Sequence, residues 1–254
     1  MFGLIVTVLL AVTGVPGNCL GCSMEGMDLH GQDLRYVSWA GSNLRGANLR
    51  GANLSGAHLA GVDLRDADLR DADLRDAKLA GVDLRGARLG GARLENVRLA
   101  GINLSGAWLQ TLADDQTRAL LGHCAGCQVR SVDLHGKNLS GIHVAGSSFR
   151  DSNLAGVSFA GADLPADDFN RADLRNADFR GAVLCAHNTD VDENGNVRYG
   201  RLACSDFSGA NLHGANFSGA RICDEEGAAR RCSPLDANTL RTLGHADLNG
   251  AQGI

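Results

Sequence analysis

Large apolar residues recur at every fifth position along most of this chain. The series runs without a break over residues 29–109, resumes over 129–184 and returns over 202–222. A smaller residue, mostly Ala or Val, stands two positions before each member, as at Ala47 and Val62. A period of five fits neither the 3.6-residue repeat of an α-helix nor the two-residue repeat of a β-strand. The pattern predicts a coil in which each five-residue unit is one short side with two inward residues.

A slower period shows how many sides the coil has. Near copies of one stretch recur every twenty residues, at Leu59–Arg65, Leu79–Arg85 and Leu99–Ser105. Four units therefore make one turn, which we call a lap. Successive laps would stack at the strand-pairing distance of about 4.8 Å and bury their apolar edges against one another. We expect a little over four laps in the first series, three in the second, and a last lap at Leu202, Phe207, Leu212, Phe217 and Ile222.

The five-residue units carry a recognisable motif. The pattern A-(D/N)-L-x-x occurs at Ala47–Gly51, Ala67–Asp71 and Ala172–Asn176. In this motif the sequence resembles the pentapeptide-repeat family, and the resemblance covers most of residues 24–222. It implies an all-β solenoid, the right-handed quadrilateral β-helix.

Two segments break the period and have helical character. In the first, Thr111 followed by Asp114 resembles a capping box, and Gly122 can end the helix. The second, at 233–244, opens with Ser233, Pro234 and Asp236. We predict a short internal helix that joins two solenoid blocks, and a C-terminal capping helix that covers the exposed strand edges of the coil.

These features divide the chain into five parts. We predict a signal peptide at 1–17, a first repeat block at 18–110, a helical joint with a CxxC pair at 111–128, a second repeat block at 129–222 with an insertion at 185–201, and a C-terminal cap at 223–254.

The N-terminus indicates export. Residues 2–15 are almost wholly apolar and are followed by Pro16, Gly17 and Asn18. This length suits a cleaved signal peptide and falls short of the roughly 20 apolar residues that a membrane span needs. No Lys or Arg precedes the apolar run, so an uncleaved membrane anchor and a soluble N-terminal extension stay as alternatives. The predicted location is the periplasm or the extracellular space.

The cysteines fit an oxidising compartment, since their number is even, at 8. Nearest-neighbour pairing predicts four disulfides, Cys19–Cys22, Cys124–Cys127, Cys185–Cys204 and Cys223–Cys232. Two of these pairs are CxxC, a spacing also found in zinc sites and redox-active thiols. A shared zinc ion would need the two CxxC pairs to converge, although they belong to different blocks. Structural disulfides are therefore the favoured interpretation.

The insertion at 185–201 contains part of a calcium-binding pattern. Oxygen-bearing side chains alternate as they do at the start of a calcium loop, at Asp190, Asp192, Asn194 and Asn196. The twelfth position, where a bidentate Glu is expected, is Arg201. Calcium is the single cofactor that the sequence indicates.

The same insertion also matches a β-hairpin. Asn194–Gly195 is a strong turn signal, with Val191 and Val197 on the two arms. The hairpin is the favoured interpretation, and calcium binding the alternative.

Composition limits the core and the partners. Aromatic residues make up 4% of the chain and there are 34 glycines, so small side chains are expected to fill the interior. The formal net charge of -5 is too mild to indicate a nucleic-acid-binding protein.

Two ladders of outward residues are expected on the coil. The first holds Arg45, Arg65 and Arg85 beside Asn43, Asp63 and Asp83. It is interpreted as a solvated face whose charges compensate one another. The second is a flat stripe at Ala40, Ala60, Ala80 and Ala100. The stripe suits packing against a partner or a second copy, although simple duplication of the coil also explains it.

No pattern in the sequence predicts catalysis. The histidines are scattered over surface positions without a paired nucleophile, and the glycines recur as coil corners rather than in a phosphate loop. We predict a non-catalytic structural or protein-interaction scaffold that is exported and binds a protein or envelope partner, or a second copy as a homodimer.

The family resemblance supplies an alternative function. Some pentapeptide-repeat proteins imitate DNA and bind DNA gyrase, and those members are cytoplasmic and markedly acidic. Residues 28–110 here hold about as many basic as acidic residues, which argues against this function. A third hypothesis is a calcium-stabilised envelope protein.

Overall fold

The structure is a computed structural model of the chain. It describes residues 17–99, 101–122, 124, 126–191, 197–226, 229–235 and 250–253. The chain forms two compact units, unit 1 (Met1–Leu120) and unit 2 (Leu121–Ile254). The helix and strands are α1 (Asp114–Leu121), β1 (Val183–Val191), β2 (Val197–Cys204), β3 (Arg221–Glu226) and β4 (Ala229–Pro234).

Unit 1 is a four-sided coil of twenty-residue laps. Each side contributes one parallel bridge to the side a lap further on, and four successive bridges at five-residue steps complete a lap, as in Asn43↔Asp63, Asn48↔Asp68, Asn53↔Asp73 and His58↔Lys78. The backbone N–H of Leu44 donates to the carbonyl of Asp63 at 2.8 Å, and every lap repeats this contact. The predicted solenoid is confirmed.

The interior of unit 1 is built from the two inward residues of each side. The central leucines are buried, Leu54 and Leu69 completely, and so are the alanines two positions before them, such as Ala52 and Ala67. Trp39 takes one central position and is 0% exposed. Small residues therefore fill the space between the leucine columns, as the composition predicts.

The corner residue of each side, two positions after the central residue, has a positive φ. At most corners it is a glycine, such as Gly51 with φ 64°. Other residues also occupy this left-handed region, which L-amino acids rarely adopt: Tyr36, Asp66, Asp71, Asp76, Asn96, Ser131, Asp151, Ala166, Arg171 and Asn176. Backbone ladders on both sides of the corner hold these residues in place.

Helix α1 closes part of the last lap of unit 1. It begins at Asp114, three residues later than the capping-box pattern predicts, so Thr111 lies outside it. Asp114 and Asp115 occupy its first turn, where the helix dipole favours negative charge. The side-chain oxygen of Gln116 accepts a hydrogen bond from the backbone N–H of Leu94 at 2.7 Å. In earlier laps this N–H donates to a carbonyl of the next lap, and here the helix supplies the acceptor instead.

Unit 2 repeats the coil and adds a small sheet. Its bridges keep the twenty-residue spacing up to Asp163↔Val183, after which Asp168 pairs with Asp206. The extra residues form β1 and β2, which join β3 and β4 in a sheet of strand order β2-β1-β3-β4. Strand β1 pairs antiparallel with β2 and parallel with β3, which pairs antiparallel with β4.

The predicted last lap needs one correction. Leu202 is not a side of the coil, because it lies in β2 opposite His187 in β1. The coil resumes after Cys204, and the last lap starts at Phe207, which is buried together with Leu212 and Phe217.

The core of unit 2 contains two columns of phenylalanine. Phe149, Phe169 and Phe207 stack face to face with ring centroids 5.2 and 5.1 Å apart. The second column holds Phe159, Phe179 and Phe217, at 5.2 and 4.9 Å. The expectation of an interior filled by small side chains is therefore wrong for unit 2, because the few aromatic residues are concentrated there.

The C-terminal part differs from its prediction where the structure describes it. Ser233 and Pro234, expected to open a helix, lie in β4. The rest of the predicted helix, from Asp236 to Gly244, lies outside the described residues. Gln252 then bridges Asn216 as a further side of the coil. The predicted signal peptide at 1–17 also lies outside the described residues, apart from Gly17.

No helix in the described part of the chain is long and apolar enough to span a membrane.

Candidate functional site

The outward faces of unit 1 carry aspartate–arginine pairs two residues apart. Successive residues of an extended backbone alternate in direction, so the residues on either side of an inward leucine both point outward. Nη2 of Arg65 lies 2.5 Å from Oδ2 of Asp63, and Nη2 of Arg85 lies 2.6 Å from Oδ2 of Asp83. Arg45, which has Asn43 in place of an aspartate, reaches 3.5 Å from Asp66 instead. The prediction of compensated charge on this ladder is confirmed.

These pairs hold the aspartates ionised. The hydrogen bond from Arg65 lowers the pKa of Asp63, and the hydrogen bond from Arg70 lowers the pKa of Asp68. Both aspartates are partly exposed, so water screens the pairs and each contributes modestly to stability.

A groove of about 620 Å³ lies on unit 1. One column of stacked outward residues contributes Asn48, Asp68, Arg88 and Trp108, which bridge one another lap by lap. Arg50 and Arg70, two positions after the first two members of this column, also line the groove.

The charge pattern of the groove reverses at Arg88. One lap earlier, Arg70 donates two hydrogen bonds to Asp68, at 2.8 and 2.5 Å. At the next lap the sequence places Arg88 where Asp68 stands and Gly90 where Arg70 stands. Arg88 forms no ion pair with any residue that the structure describes. Its guanidinium carbon instead lies 5.7 Å from the ring centroid of Trp108.

Trp108 is one of the few large apolar side chains exposed in the described ranges, with 53% of its surface accessible. The others are Leu20 and Tyr36. Sequence analysis passed over Arg88 and Trp108. The signal was the unit Ala87-Arg88-Leu89-Gly90, in which a basic residue replaces the Asp or Asn of the motif.

The alanine stripe is accessible where it is described. Ala60 and Ala80 are exposed and Ala40 is half-buried, whereas Ala100 lies outside the described residues. Leu20, 84% exposed, stands one lap before Ala40 at the start of the stripe. Its use as a contact surface stays a prediction.

The cysteines lie in the predicted pairs. The Cα atoms are 5.8 Å apart in Cys19–Cys22, 5.5 Å in Cys124–Cys127, and 4.0 Å in both Cys185–Cys204 and Cys223–Cys232, and all four pairs are joined as disulfides. Each CxxC pair closes on itself. Oxidation of these thiols in the cell stays a prediction.

The hairpin in the insertion is confirmed, because Val191 of β1 pairs with Val197 of β2. Of the predicted calcium ligands, Asp190 lies in β1, and Asp192, Asn194 and Asn196 lie outside the described residues. No cluster of three or more His, Cys, Asp or Glu residues suited to a metal ion occurs among the residues that are described. Calcium binding at this loop stays a prediction.

A buried carboxyl group inside unit 2 also escaped the sequence analysis. Asp167 is 1% exposed and takes the inner position that Ala or Val holds in most units. Its Oδ1 accepts a hydrogen bond from the backbone N–H of Ser147 at 2.7 Å, while Oδ2 has no partner. Burial raises the pKa of Asp167 well above its usual value, the Ser147 hydrogen bond opposes this, and the charge of Asp163 adds to it.

Several solved structures resemble this chain. A trypsin-treated form of QnrB1, a plasmid-mediated fluoroquinolone resistance protein, is 17% identical over 78% of this chain and 90% of its own, with a TM-score of 0.47. HetL, involved in heterocyst differentiation regulation in the cyanobacterium Nostoc sp. strain PCC 7120, is 25% identical over 79% and 87%, with a TM-score of 0.30. A pentapeptide repeat protein of the Arabidopsis thaliana thylakoid lumen is 29% identical over 54% and 67%, with a TM-score of 0.17.

A search of curated proteins found no match. The family model for pentapeptide repeats matches in 8 copies, at residues 18–51, 42–79, 77–110, 133–165, 168–186 and 196–224. These matches cover more than half of the sequence and coincide with the laps of both units, and the chain therefore belongs to the pentapeptide repeat family.

Proposed function

We propose that this chain is an exported, non-catalytic scaffold that presents side chains in fixed positions to a protein partner in the cell envelope. The observation that carries the proposal is the bridging of every outward column, lap by lap, by backbone hydrogen bonds. A surface fixed in this way needs little ordering when it binds, which lowers the entropic cost of association. Paired charges such as Asp63–Arg65 favour recognition by shape and local pairing over long-range attraction.

Export is supported by the apolar N-terminal run and by the disulfide-bonded pairs. The test is mass spectrometry of the protein recovered from fractionated cells of its natural host. We expect the mature chain to begin at or near Asn18 in the periplasm or the medium, with all of its cysteines oxidised. An intact N-terminus and reduced cysteines in the cytoplasm would contradict export.

The partner surface that the geometry favours is the alanine stripe, because flat exposed residues such as Ala60 and Ala80 allow close approach of another surface. Affinity capture with the mature protein should be compared with an Ala60→Glu, Ala80→Glu double variant. Loss of one envelope protein from the capture, with the circular dichroism spectrum unchanged, is the expected result. Sedimentation of both proteins separates this partner from a second copy of the chain. A capture set that does not change rejects the stripe as the contact surface.

A second candidate is inhibition or protection of DNA gyrase by imitation of DNA. The aspartate–arginine pairs speak against it, since a DNA mimic needs uncompensated negative charge. A supercoiling assay with purified gyrase and stoichiometric protein decides between the two. An effect on supercoiling favours this candidate and removes the envelope scaffold from first place.

Calcium stabilisation is a third candidate, from the pattern that begins at Asp190. A melting temperature that is the same with calcium and with chelator rejects it.

A further inference from the structure

We propose that the groove of unit 1 binds an acidic saccharide, with the sugar carboxylate on Arg88 and a pyranose ring against Trp108. This site goes beyond the scaffold role, because a small ligand on one side of unit 1 leaves the alanine stripe open to a protein partner. The groove has the volume of a small-molecule site, about 620 Å³, and is open to solvent.

Trp108 supplies the apolar platform. It occupies an outward position in a column whose earlier members are polar, at Asn48 and Asp68, and about half of its surface meets water. The guanidinium of Arg88 lies against the indole and restricts its motion. An aromatic ring held in this way offers a flat apolar surface on which the C–H face of a sugar can pack.

Arg88 supplies the charge. The arginine one lap earlier, Arg70, is occupied by two hydrogen bonds to Asp68. The Arg70 hydrogen bonds lower the pKa of the Asp68 carboxyl and the charge of Arg88 lowers it further, but Arg88 makes no hydrogen bond or ion pair with a carboxylate among the described residues. A planar guanidinium binds a carboxylate through two parallel hydrogen bonds, which favours a carboxylate over a neutral group at this point. Gly90, at the position of Arg70, brings no side chain of its own, and the side chains of Thr111 and Arg70 lie within 4 Å of the place where its Cβ would stand.

The remaining polar groups of the groove favour hydroxyl groups over further charge. Asn48 and Asp68 can accept hydrogen bonds from hydroxyls, and Asp66 adds a second carboxylate to the lining. A nucleic acid would bring a phosphate at every step against these carboxylates. A bare anion would leave Trp108 without a role, and a neutral sugar would leave Arg88 unpaired. A ring with one acid group and several hydroxyls uses all of these contacts.

The test uses tryptophan fluorescence of the purified full chain. The chain has two tryptophans, and Trp39 is fully buried, so a ligand-induced change reports on Trp108. The probes are cellobiouronic acid and digalacturonate, with cellobiose as the neutral match and inorganic phosphate as the bare anion. We expect saturable binding of at least one acidic disaccharide, and no binding of cellobiose or phosphate at the same millimolar concentration.

Variants locate the site. Arg88→Gln is expected to weaken acidic-disaccharide binding about tenfold, the range for loss of one charge-assisted contact. Trp108→Ala should abolish the binding heat in calorimetry, and Trp108→Phe should restore part of it. The matched control is Arg85→Gln, because Arg85 is paired with Asp83 and does not line the groove. Circular dichroism shows whether each variant keeps the coil.

Three results would overturn the proposal. They are no binding of either acidic disaccharide, equal affinity for cellobiose or phosphate, and binding that Arg88→Gln leaves unchanged. None of these bears on the scaffold proposal, whose tests are the compartment of the protein and the partner captured through the alanine stripe.

Discussion

The corner residues show how one backbone angle governs this fold at the residue scale. A positive φ is natural for glycine and costs roughly 1–2 kcal/mol for other residues. Gly51 has φ 64° and open space where a Cβ would stand, so a substitution there meets no steric neighbour. Ala166 has φ 60°, so at this corner an alanine already adopts the left-handed backbone that glycine adopts at Gly51. Exchanging glycine and alanine at these two positions therefore tests the cost of the backbone angle apart from that of packing.

We predict that Gly51→Ala lowers the free energy of unfolding of unit 1 by about 1 kcal/mol, because alanine must adopt the left-handed region. Ala166→Gly should raise the free energy of unfolding of unit 2 by a similar or smaller amount, since the flexibility of glycine in the unfolded chain offsets part of the gain. Urea unfolding measures both changes. Equal effects of the same sign would show that the corner angle is not their cause.

Asp167 gives unit 2 a pH dependence. Its folded-state pKa is raised, so the stability it allows is fully present below the unfolded pKa of about 4 and falls as the pH rises toward the folded pKa. For one proton the slope is about 1.4 kcal/mol per pH unit within that window. Asp167→Asn should remove this slope in urea unfolding followed by circular dichroism. A wild-type curve that is flat between pH 4 and pH 8 would show that Asp167 is ionised in the folded protein.

Asp167→Ala provides the matched comparison, because alanine is the residue that most units place there. It removes the Oδ2 atom that has no partner, and such an orphan group costs about 1–3 kcal/mol. The variant should therefore be more stable than the wild type at neutral pH. A less stable variant would indicate that the hydrogen bond to Ser147 outweighs the burial of the acid.

At the scale of the element, the period of five predicts the sides of the coil and the residues inside it. Leu54 and Ala52 are buried as predicted because every unit has the same local environment. The pattern fails at Leu202, which has the spacing of a coil side but lies in β2. The residues between Cys185 and Cys204, which form a disulfide-bonded pair, belong to the hairpin. The five-residue period therefore does not predict sides of the coil in this segment.

The candidate site was less accessible to sequence reasoning than the fold. The outward residues of one column lie twenty positions apart, so Asp68, Arg88 and Trp108 become neighbours only after the lap length is applied to each face in turn. The burial of Asp167 was missed for a related reason. Asp167 stands directly before Asp168, which takes the usual outward position of the motif. Only counting back two positions from the inward Phe169 shows that Asp167 points into the coil.

The phenylalanine columns predict position-dependent losses in unit 2. Phe169 stacks on both Phe149 and Phe207, whereas Phe217 stacks on one ring, that of Phe179. Phe169→Leu, which restores the residue of unit 1, should lower the free energy of unfolding by about 2 kcal/mol through lost ring contacts and a residual cavity. Phe217→Leu is the control and should cost less. Guanidinium unfolding measures both, and an equal loss would argue against stacking as the cause.

The disulfide-bonded pair Cys185–Cys204 links residues 19 apart in the chain. Removal of a cross-link of this length should lower the stability of unit 2 by about 3 kcal/mol, mainly through greater freedom of the unfolded chain. The Cys185→Ala, Cys204→Ala double variant is compared with the oxidised wild type by calorimetry. An unchanged melting temperature would show that this pair is not bonded in the purified protein.

At the scale of the whole molecule, both units should lose stability in acid, and unit 2 should also lose stability as the pH rises. Hydrogen bonds from arginine lower the pKa of Asp63, Asp68 and Asp73 in unit 1. Their contribution to stability is present above the unfolded pKa of about 4 and is lost as the pH falls through the folded values. Hydrogen bonds from Arg175 and Arg180 lower the pKa of Asp173 and Asp178 in unit 2 in the same way. Both units are therefore expected to weaken in acid, and Asp167 adds a loss of stability in unit 2 as the pH rises above about 4.

The tryptophans allow this difference to be measured in the intact protein. Both of them, Trp39 and Trp108, belong to unit 1. Fluorescence at Trp39 therefore follows unit 1, and circular dichroism follows both units. We expect the fluorescence midpoint in urea to fall below pH 4 and to stay level from pH 5 to pH 8. A fluorescence midpoint that falls between pH 5 and pH 8 would show that unit 1 loses stability as the pH rises, which contradicts the assignment of this effect to Asp167 in unit 2.

The return of the chain at Gln252 has a practical consequence for anyone who produces this protein. Gln252 accepts a hydrogen bond from the N–H of Phe217 at 2.9 Å and donates one to the carbonyl of Ala215 at 2.8 Å. A truncated chain that stops before Gly250 leaves those groups bare, and a bare strand edge recruits other chains. Shortened forms of the chain should therefore keep residues 250–253, so that the last rung of the coil stays paired.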